Sequence, residues 1–259
     1  MDIKTLNPLH QEDIKNPIHP SVYFQSDDYK IVIYRLFDLS EGGLNVVTHP
    51  FVIDQNEKIY KYNQDTQNLN ILENMEKFYK VLDTLVDSVI KRVDINVSKV
   101  EDLEENIYDN PEAIKDWFGL KKELTRMERV LAQAIKTHEK LIKGSNIIQE
   151  DSKLFTSFED IEEHLNRTYR ACGINLLKLD SIYSLYTSLA NEKMNATIYT
   201  LTIISAIFLP LNLLVGFFGM NTEGLYFAGN PNGTLIVSSL LVSLFILFFG
   251  YFKFKKHAL

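Results

Sequence analysis

Eleven residues spaced three or four apart, Ser184, Ser188, Asn191, Asn195, Ile198, Thr202, Ser205, Leu209, Asn212, Gly216 and Gly219, form a polar-to-small stripe through a stretch otherwise rich in Leu, Ile and Phe. On a helix, that spacing keeps them along one side. Amides are costly in lipid, so Asn195 and Asn212 are expected to face partner helices or water. Two readings stand side by side. Ser, Thr, Gly and Asn glue membrane helices together, and the same residues line polar paths. A stripe this long, running into Gly219-Met220-Asn221, favours a pore lining. Two helices per chain cannot enclose a pore, so that reading requires an oligomer.

Other chemistry is sparse. The six His are scattered, no Cys/His spacing suits a metal, and neither a Gly-rich phosphate loop nor a nucleophile elbow occurs. Glu162-Glu163-His164 reads as an exposed first-turn face rather than an acid–base pair, and no enzyme is expected. The single cysteine, Cys172, leaves no internal disulfide, suits a reducing compartment and reads as a small buried hydrophobe. A net charge of −7 argues against a nucleic-acid partner.

The charge is unevenly spread. Residues 194–252 carry one formal charge, Glu223, whereas residues 1–193 hold 24 Lys/Arg against 33 Asp/Glu. The 26 residues 194–219 and the 19 residues 234–252 each match a hydrocarbon core of about 30 Å. Between them lies a short loop rich in Gly and Asn. Lys193 precedes the first span, and Lys253, Lys255 and Lys256 follow the second, which places both termini in the cytoplasm and the loop outside. Residues 1–25 lack a basic start followed by an apolar run, so the acidic body is expected to stay in the cytoplasm of a cell (inner) membrane protein.

The elements that must position the stripe follow from periodicity. Residues 29–36, 44–53 and 59–62 have strand character, with a turn at 54–58. From about residue 72 to 108, and again from 112 to 143, apolar residues recur at helical steps, predicting an antiparallel hairpin with an acidic tip at 101–105. Pro111 suits the first turn of the second helix. Ser157 then caps a third helix with an acidic first turn, and Ile161, Leu165, Thr168, Cys172, Asn175, Leu179, Ile182, Tyr186 and Leu189 form a heptad seam. Continuous to Gly219, this helix would reach roughly 90 Å, a stalk entering the bilayer. Pro210 is expected to bend it.

The expected fold is an α+β cytoplasmic domain with a long helical hairpin and a stalk helix, followed by two transmembrane helices. Its parts are a small α/β region (1–70), the hairpin (71–145), and a stalk (155–219) whose last part, from about 196, is the first span. An outer loop (220–233), the second span (234–252) and a basic tail (253–259) complete it.

At Thr202-Ile203-Ile204-Ser205-Ala206-Ile207-Phe208-Leu209-Pro210-Leu211, followed by Gly216 and Gly219-Met220-Asn221, the chain resembles the CorA family of magnesium and divalent-cation transporters. Residues 158–164 resemble the family's segment at the start of its stalk helix, and residues 7–13 resemble its cytoplasmic segment with a Glu-Asp pair. The resemblance implies a homopentameric funnel with a central pore made by the first span. It implies that Asn221 side chains bind a still-hydrated ion, which suits Mg²⁺, an ion that keeps its waters. Glu223 would add a ring of negative charge that concentrates cations, and Ile198 and Leu209 fall at the family's apolar constriction. Asp13 and Asp160 match its regulatory pair, bridged between subunits by a cation. The plainer alternative makes both of them surface carboxylates in helix first turns.

Three departures bear on these implications. The chain opens almost at Pro8-Leu9, which questions the regulatory site. Thr222 replaces the family's aromatic residue, and the loop 224–231 lacks its Met-Pro-Glu-Leu, which questions ion preference. The expected cargo is Mg²⁺, with Co²⁺ or Ni²⁺ as substitutes. A Zn²⁺ transporter of the same family and a non-conducting membrane-anchored scaffold are the alternatives.

Overall fold

The computed structural model describes residues 1–38, 44–107, 113–144, 153–220 and 230–257, except for the side chains of 252–257. The chain divides into two units, Met1–Tyr186 and Thr187–Leu259.

The first unit opens with a 3₁₀ turn, Ile3–Thr5, and a short helix α1, Pro8–Lys15. Asn7 caps α1 by accepting from the Leu9 N–H at 3.0 Å, and Pro8 occupies the first turn, where its missing donor costs nothing. Five strands follow: β1 (Val22–Gln25), β2 (Tyr29–Asp38), β3 (Asn45–Asp54), β4 (Ile59–Asn63) and β5 (Asn68–Leu72). They pair in sequence order as an antiparallel meander. The turn after β3 is tied by Asp54, whose carboxylate accepts from the N–H groups of Asn56 and Lys58, both at 2.9 Å.

Alternation along the strands gives the sheet two buried faces. Val32, Tyr34, Leu36, Phe51, Ile53 and Ile59 join a large core with the helices that follow. Ile31, Ile33, Val52, Tyr60 and Tyr62 pack instead with Ile3, Leu6 and Ile14 of the opening segment.

Two long helices, α2 (Met75–Asn106) and α3 (Ala113–Gly144), cover the first face. Asn74 caps α2 by accepting from the Lys77 N–H. The pair runs antiparallel. Asn96 in mid-α2 donates to Glu123 at 3.1 Å, while Asn106 at the end of α2 and Lys115 at the start of α3 line one cavity.

The fourth helix, α4 (Lys153–Phe218), begins in the first unit and ends in the second. Every expected seam position from Ile161 to Ile182 is buried, with Tyr186 and Leu189 partly so. The seam packs on the sheet-and-hairpin core. Trp117 of α3 donates to the Leu179 carbonyl at 2.8 Å and stacks on Tyr183, and Lys178 pairs with Glu104 of α2 at 2.6 Å. Cys172 is fully buried, and that burial, with Glu128 nearby, pushes its thiol up to about 12.

Four local expectations are corrected. The α4 helix starts four residues before Ser157, whose hydroxyl donates to the Lys153 carbonyl inside the helix, so Ser157 is no cap. Glu162-Glu163-His164 accordingly lies beyond the first turn. Leu72 ends a strand, and α2 begins only at Met75. Asp13 sits in the last turn of α1 and Asp160 in the second turn of α4, so neither carboxylate is in a first turn. Pro111 lies outside the described residues.

In the second unit, α4 continues through Pro210, which removes one backbone donor, and α5 spans Gly233–His257. Both are long and apolar enough to cross a membrane, α5 over Gly233–Tyr251.

Candidate functional site

The second half of α4 has two opposed faces. In the apolar stretch, Ile207 is the one buried side chain, and Ile203, Ala206, Pro210, Leu211, Leu214 and Phe218 are partly covered. At about 100° per residue these seven stand within about 70° of one direction. Ile198, Thr202, Ser205, Leu209, Asn212 and Gly216 stand within about 40° of a direction roughly 150° away. All eleven stripe residues, including Ser184, Ser188, Asn191, Asn195 and Gly219, are exposed in the single chain. A 3.5-residue repeat drifts by about 20° per heptad on a straight helix, so the stripe winds slowly rather than running parallel to the axis.

The stripe's polar groups differ in what they have left to offer. Thr202 Oγ1 donates to the Ile198 carbonyl at 2.8 Å, which uses its proton and leaves its lone pairs outward. Asn195 and Asn212 make no side-chain hydrogen bond within the described residues, so each amide keeps its full capacity. Exposed Ile198 and Leu209 interrupt them with apolar surface.

Near the end of the helix, Gly219 donates to the Val215 carbonyl at 2.8 Å, and Met220 donates weakly to Phe217 at 3.4 Å. A β-carbon at Gly219 would stand 3.0 Å from the Val215 oxygen, a contact few side chains make. At Gly216 the same atom would meet nothing within 4 Å, so packing inside one chain does not require that glycine. Met220 is exposed. Asn221 and Glu223 lie outside the described residues.

Asp13 and Asp160 are on different elements, each beside a histidine. Asp13 Oδ1 is 3.3 Å from His19 Nε2, and Asp160 Oδ1 is 3.8 Å from His164 Nε2. Their side chains are 45% and 51% exposed, leaving oxygen lone pairs open to a cation. Facing Asp160 from α2 are two carboxylates that periodicity did not single out, Asp83 and Asp87. Burial first, then Asp87 and Asp160, push the Asp83 carboxyl up, while His164 works against them. Burial with Asp83 and Asp160 also raises the Tyr79 phenol. The four-residue spacing of Asp83 and Asp87 on an amphipathic helix was the available signal. Among the described residues, no group of three or more His, Cys, Asp or Glu side chains is placed to hold a metal ion.

Behind Asp160 runs a buried chain of hydrogen bonds. The Phe158 carbonyl can only accept, so His138 Nε2 carries the proton and donates to it at 2.8 Å. Nδ1 then accepts from the Tyr34 hydroxyl at 2.7 Å. Burial lowers the His138 pKa to about 4, keeping the imidazole neutral, and joins β2, α3 and α4 through one fixed tautomer.

A folded sheet-and-hairpin unit, with two helical stretches long and apolar enough to cross a membrane, fits a two-span membrane protein. A family model described as "CorA-like Mg2+ transporter protein" matches residues 5–256, and the chain belongs to the CorA family. Membership makes it a membrane transporter for divalent cations. The cobalt/magnesium transport protein CorA of Thermotoga maritima is 23% identical over 274 residues, covering 97% of this chain and 76% of the relative. The zinc transport protein ZntB of Pectobacterium carotovorum is 23% identical over 167 residues, covering 63% of this chain and 50% of that protein. The complete structure of the CorA magnesium transporter from Methanocaldococcus jannaschii superposes with a TM-score of 0.81 at 19% identity, over 96% of this chain and 84% of that one. The last likeness establishes a shared fold.

Proposed function

We propose that the chain assembles as a homopentamer that conducts hydrated divalent cations, Mg²⁺ first, with Co²⁺ or Ni²⁺ as substitutes. Its stripe lines the pore, and Asn221 sits at the outer mouth. The observation that carries this reading is the opposition of faces on α4. The covered face leaves Thr202, Ser205 and Asn212 together on the other side, with Asn195 exposed further back along the winding stripe, and among the described residues nothing satisfies the two amides. In a bilayer such groups need water or neighbouring copies. A ring of copies around that face supplies both.

The residues divide the work by chemistry. Asn221, Asn195 and Asn212 present neutral oxygens that accept from the waters of a hydrated ion without stripping them, which suits slowly dehydrating Mg²⁺. Ile198 and Leu209 form apolar constrictions that close by dewetting. Gly216, with open space beside it, lets neighbouring helices approach near the outer end. Glu223 concentrates cations at the mouth. Both termini and the first unit lie on the cytoplasmic side, as the flanking lysines direct.

Asp13 of one copy and Asp160 of the next bind a regulatory cation, with Asp83 and Asp87 adding negative field. Half-exposed carboxylates are hard oxygen donors of the kind Mg²⁺ takes. Occupied, the site holds adjacent copies together; empty, like charges repel and the assembly loosens.

The test is flux into proteoliposomes of the wild type and of Asn221→Ala, with Mg²⁺ and Zn²⁺ compared and cytoplasmic-side Mg²⁺ varied. Mg²⁺ flux that is lost in the variant and suppressed by cytoplasmic-side Mg²⁺ is expected. Zn²⁺ flux well above Mg²⁺ flux would favour the zinc reading, which similarity to ZntB keeps open. Wild-type flux equal to empty vesicles would leave a non-conducting scaffold.

A further inference from the structure

Three arginines in the first unit converge where neither transport nor the Asp13–Asp160 pair uses them. Arg126, Arg129 and Gln133 stand at i, i+3 and i+7 on α3, on one face of that helix. Arg35 lies on β2, two residues beyond the stretch paired with β1, whose last partner on that side is Ile33. There the ladder has ended, and the Arg35 N–H donates to Ser21 Oγ at 2.9 Å instead. The three side chains, with Pro20, Ser21 and Gln133, line a cavity of about 260 Å³.

The cavity is electrostatically incomplete. Among the described residues, no carboxylate lies within ion-pair distance of Arg35, Arg126 or Arg129. Arg35 Nε is buried and has no hydrogen-bond partner. Among the described residues, Arg126 Nη1 reaches only the Leu44 carbonyl, at 3.4 Å. Burial lowers the Arg35 pKa, and the Arg126 and Arg129 charges lower it further. Among the described residues these three cations, Arg126 and Arg129 exposed and Arg35 partly buried, gather without a counter-charge and leave one buried donor unmet. An anion would offset both.

Guanidinium forks match phosphate oxygens with paired N–H donors, and three forks from two elements suit a tetrahedral dianion better than a planar carboxylate. The volume is below the usual range for drug-sized ligands, which limits the occupant to a phosphate or a small phosphate ester. We propose that this cavity is a binding site for a small soluble phosphate-bearing anion, held by the Arg35, Arg126 and Arg129 guanidinium groups.

The experiment is thermal unfolding of the full chain in neutral detergent at fixed ionic strength, with chloride exchanged for inorganic phosphate. A saturable rise in Tm is expected. Arg126→Gln combined with Arg129→Gln should weaken the apparent phosphate Kd by on the order of tenfold or more per guanidinium. Arg35→Gln should do the same; if it fails to fold, the α3 double variant carries the test. Lys91→Gln, on the exposed side of α2, should keep the full shift. A phosphate response matched by chloride, or undiminished in the double variant, overturns the proposal. So does a response confined to dihexanoyl phosphatidic acid, which would make the ligand a lipid headgroup. A double variant that changes the oligomer mass, with no phosphate response in the wild type, would hand the cavity to a second copy's carboxylate.

Discussion

In the first half of α4, Thr168 and Asn175 lie buried in an apolar seam; in the second half, Asn195 and Asn212 lie exposed on an apolar helix. The residue types and the spacing are alike, but the satisfaction of their polar groups is not. Thr168 Oγ1 donates to the His164 carbonyl at 2.7 Å, and Asn175 Nδ2 to the Ala171 carbonyl at 2.9 Å, each one turn back on its own helix. Such back-bonding lets a polar side chain enter a core without a partner from another element. Asn195 and Asn212 make no such bond, and among the described residues their whole capacity is unused. Polarity at helical spacing therefore does not distinguish a seam from a pathway. What covers the residue, and whether its donors are already used, does.

The largest expected effect lies in the seam. Leu165 is fully buried in the first unit's core, and Leu165→Ala should destabilise that unit by about 2–5 kcal/mol. Trp117, the only tryptophan, is bonded to Leu179 and stacked on Tyr183, so its fluorescence reports directly on seam packing. Leu201→Ala, at a position 64% exposed, should leave that transition where it is. If both variants shift it equally, the two halves are not energetically distinct.

The next effect comes from the buried histidine that ties the seam to the sheet. His138 is lowered from 6.5 to about 4, so the folded state binds its proton less readily than the unfolded state does. Its contribution is fully present above pH 6.5 and is lost as pH falls toward 4, amounting to about 3 kcal/mol over that window. His138→Gln can keep both bonds without titrating, and should flatten much of the acid side of the Trp117 stability profile. His49, also lowered to about 4 by burial and Lys61, leaves a residual slope. An unchanged profile in His138→Gln would remove this histidine from the account.

These contrasts also mark what the sequence made legible. The 59-residue stretch with one charge, the helical periods and the long middle strands were readable, because each is a local pattern with many repeats. The edge strands were not. Val22–Gln25 has only four residues, just after Pro20, and Asn68–Leu72 carries two asparagines, so pairing with a neighbour rather than propensity makes them strands. The start of α4 was misplaced because Ser157 looks like a cap while bonding back within the helix. The polar stripe was visible as spacing, but its placement away from Ile207 needed the covered face. Asp83 beside Asp160, and Arg35 beside Arg126 and Arg129, are joined only by packing across long sequence distances.

In the proposed pore lining, Asn212→Leu removes an amide that has no partner among the described residues. It should lower Mg²⁺ flux by about tenfold while leaving the Trp117 transition unchanged. Thr202→Val should cost less, because the Thr202 proton is already committed to Ile198 and only acceptor lone pairs are lost. Equal losses in the two variants would mean that pore polarity, rather than free amide capacity, governs flux.

The smallest effect is the sharpest test of the comparison. Asn175→Leu deletes a buried amide whose recorded bond goes to a carbonyl of its own helix. The Ala171 carbonyl stays inside α4 and keeps its helical place, so no buried group is stranded by the change. Replacing a self-satisfied polar side chain with an apolar one of similar size should alter stability by less than about 1 kcal/mol in either direction. The same chemical change at Asn212 is expected to cost most of the flux. A large destabilisation in Asn175→Leu would mean that the seam amide serves a partner beyond its own backbone. The polar residues of the two halves would then be doing the same job.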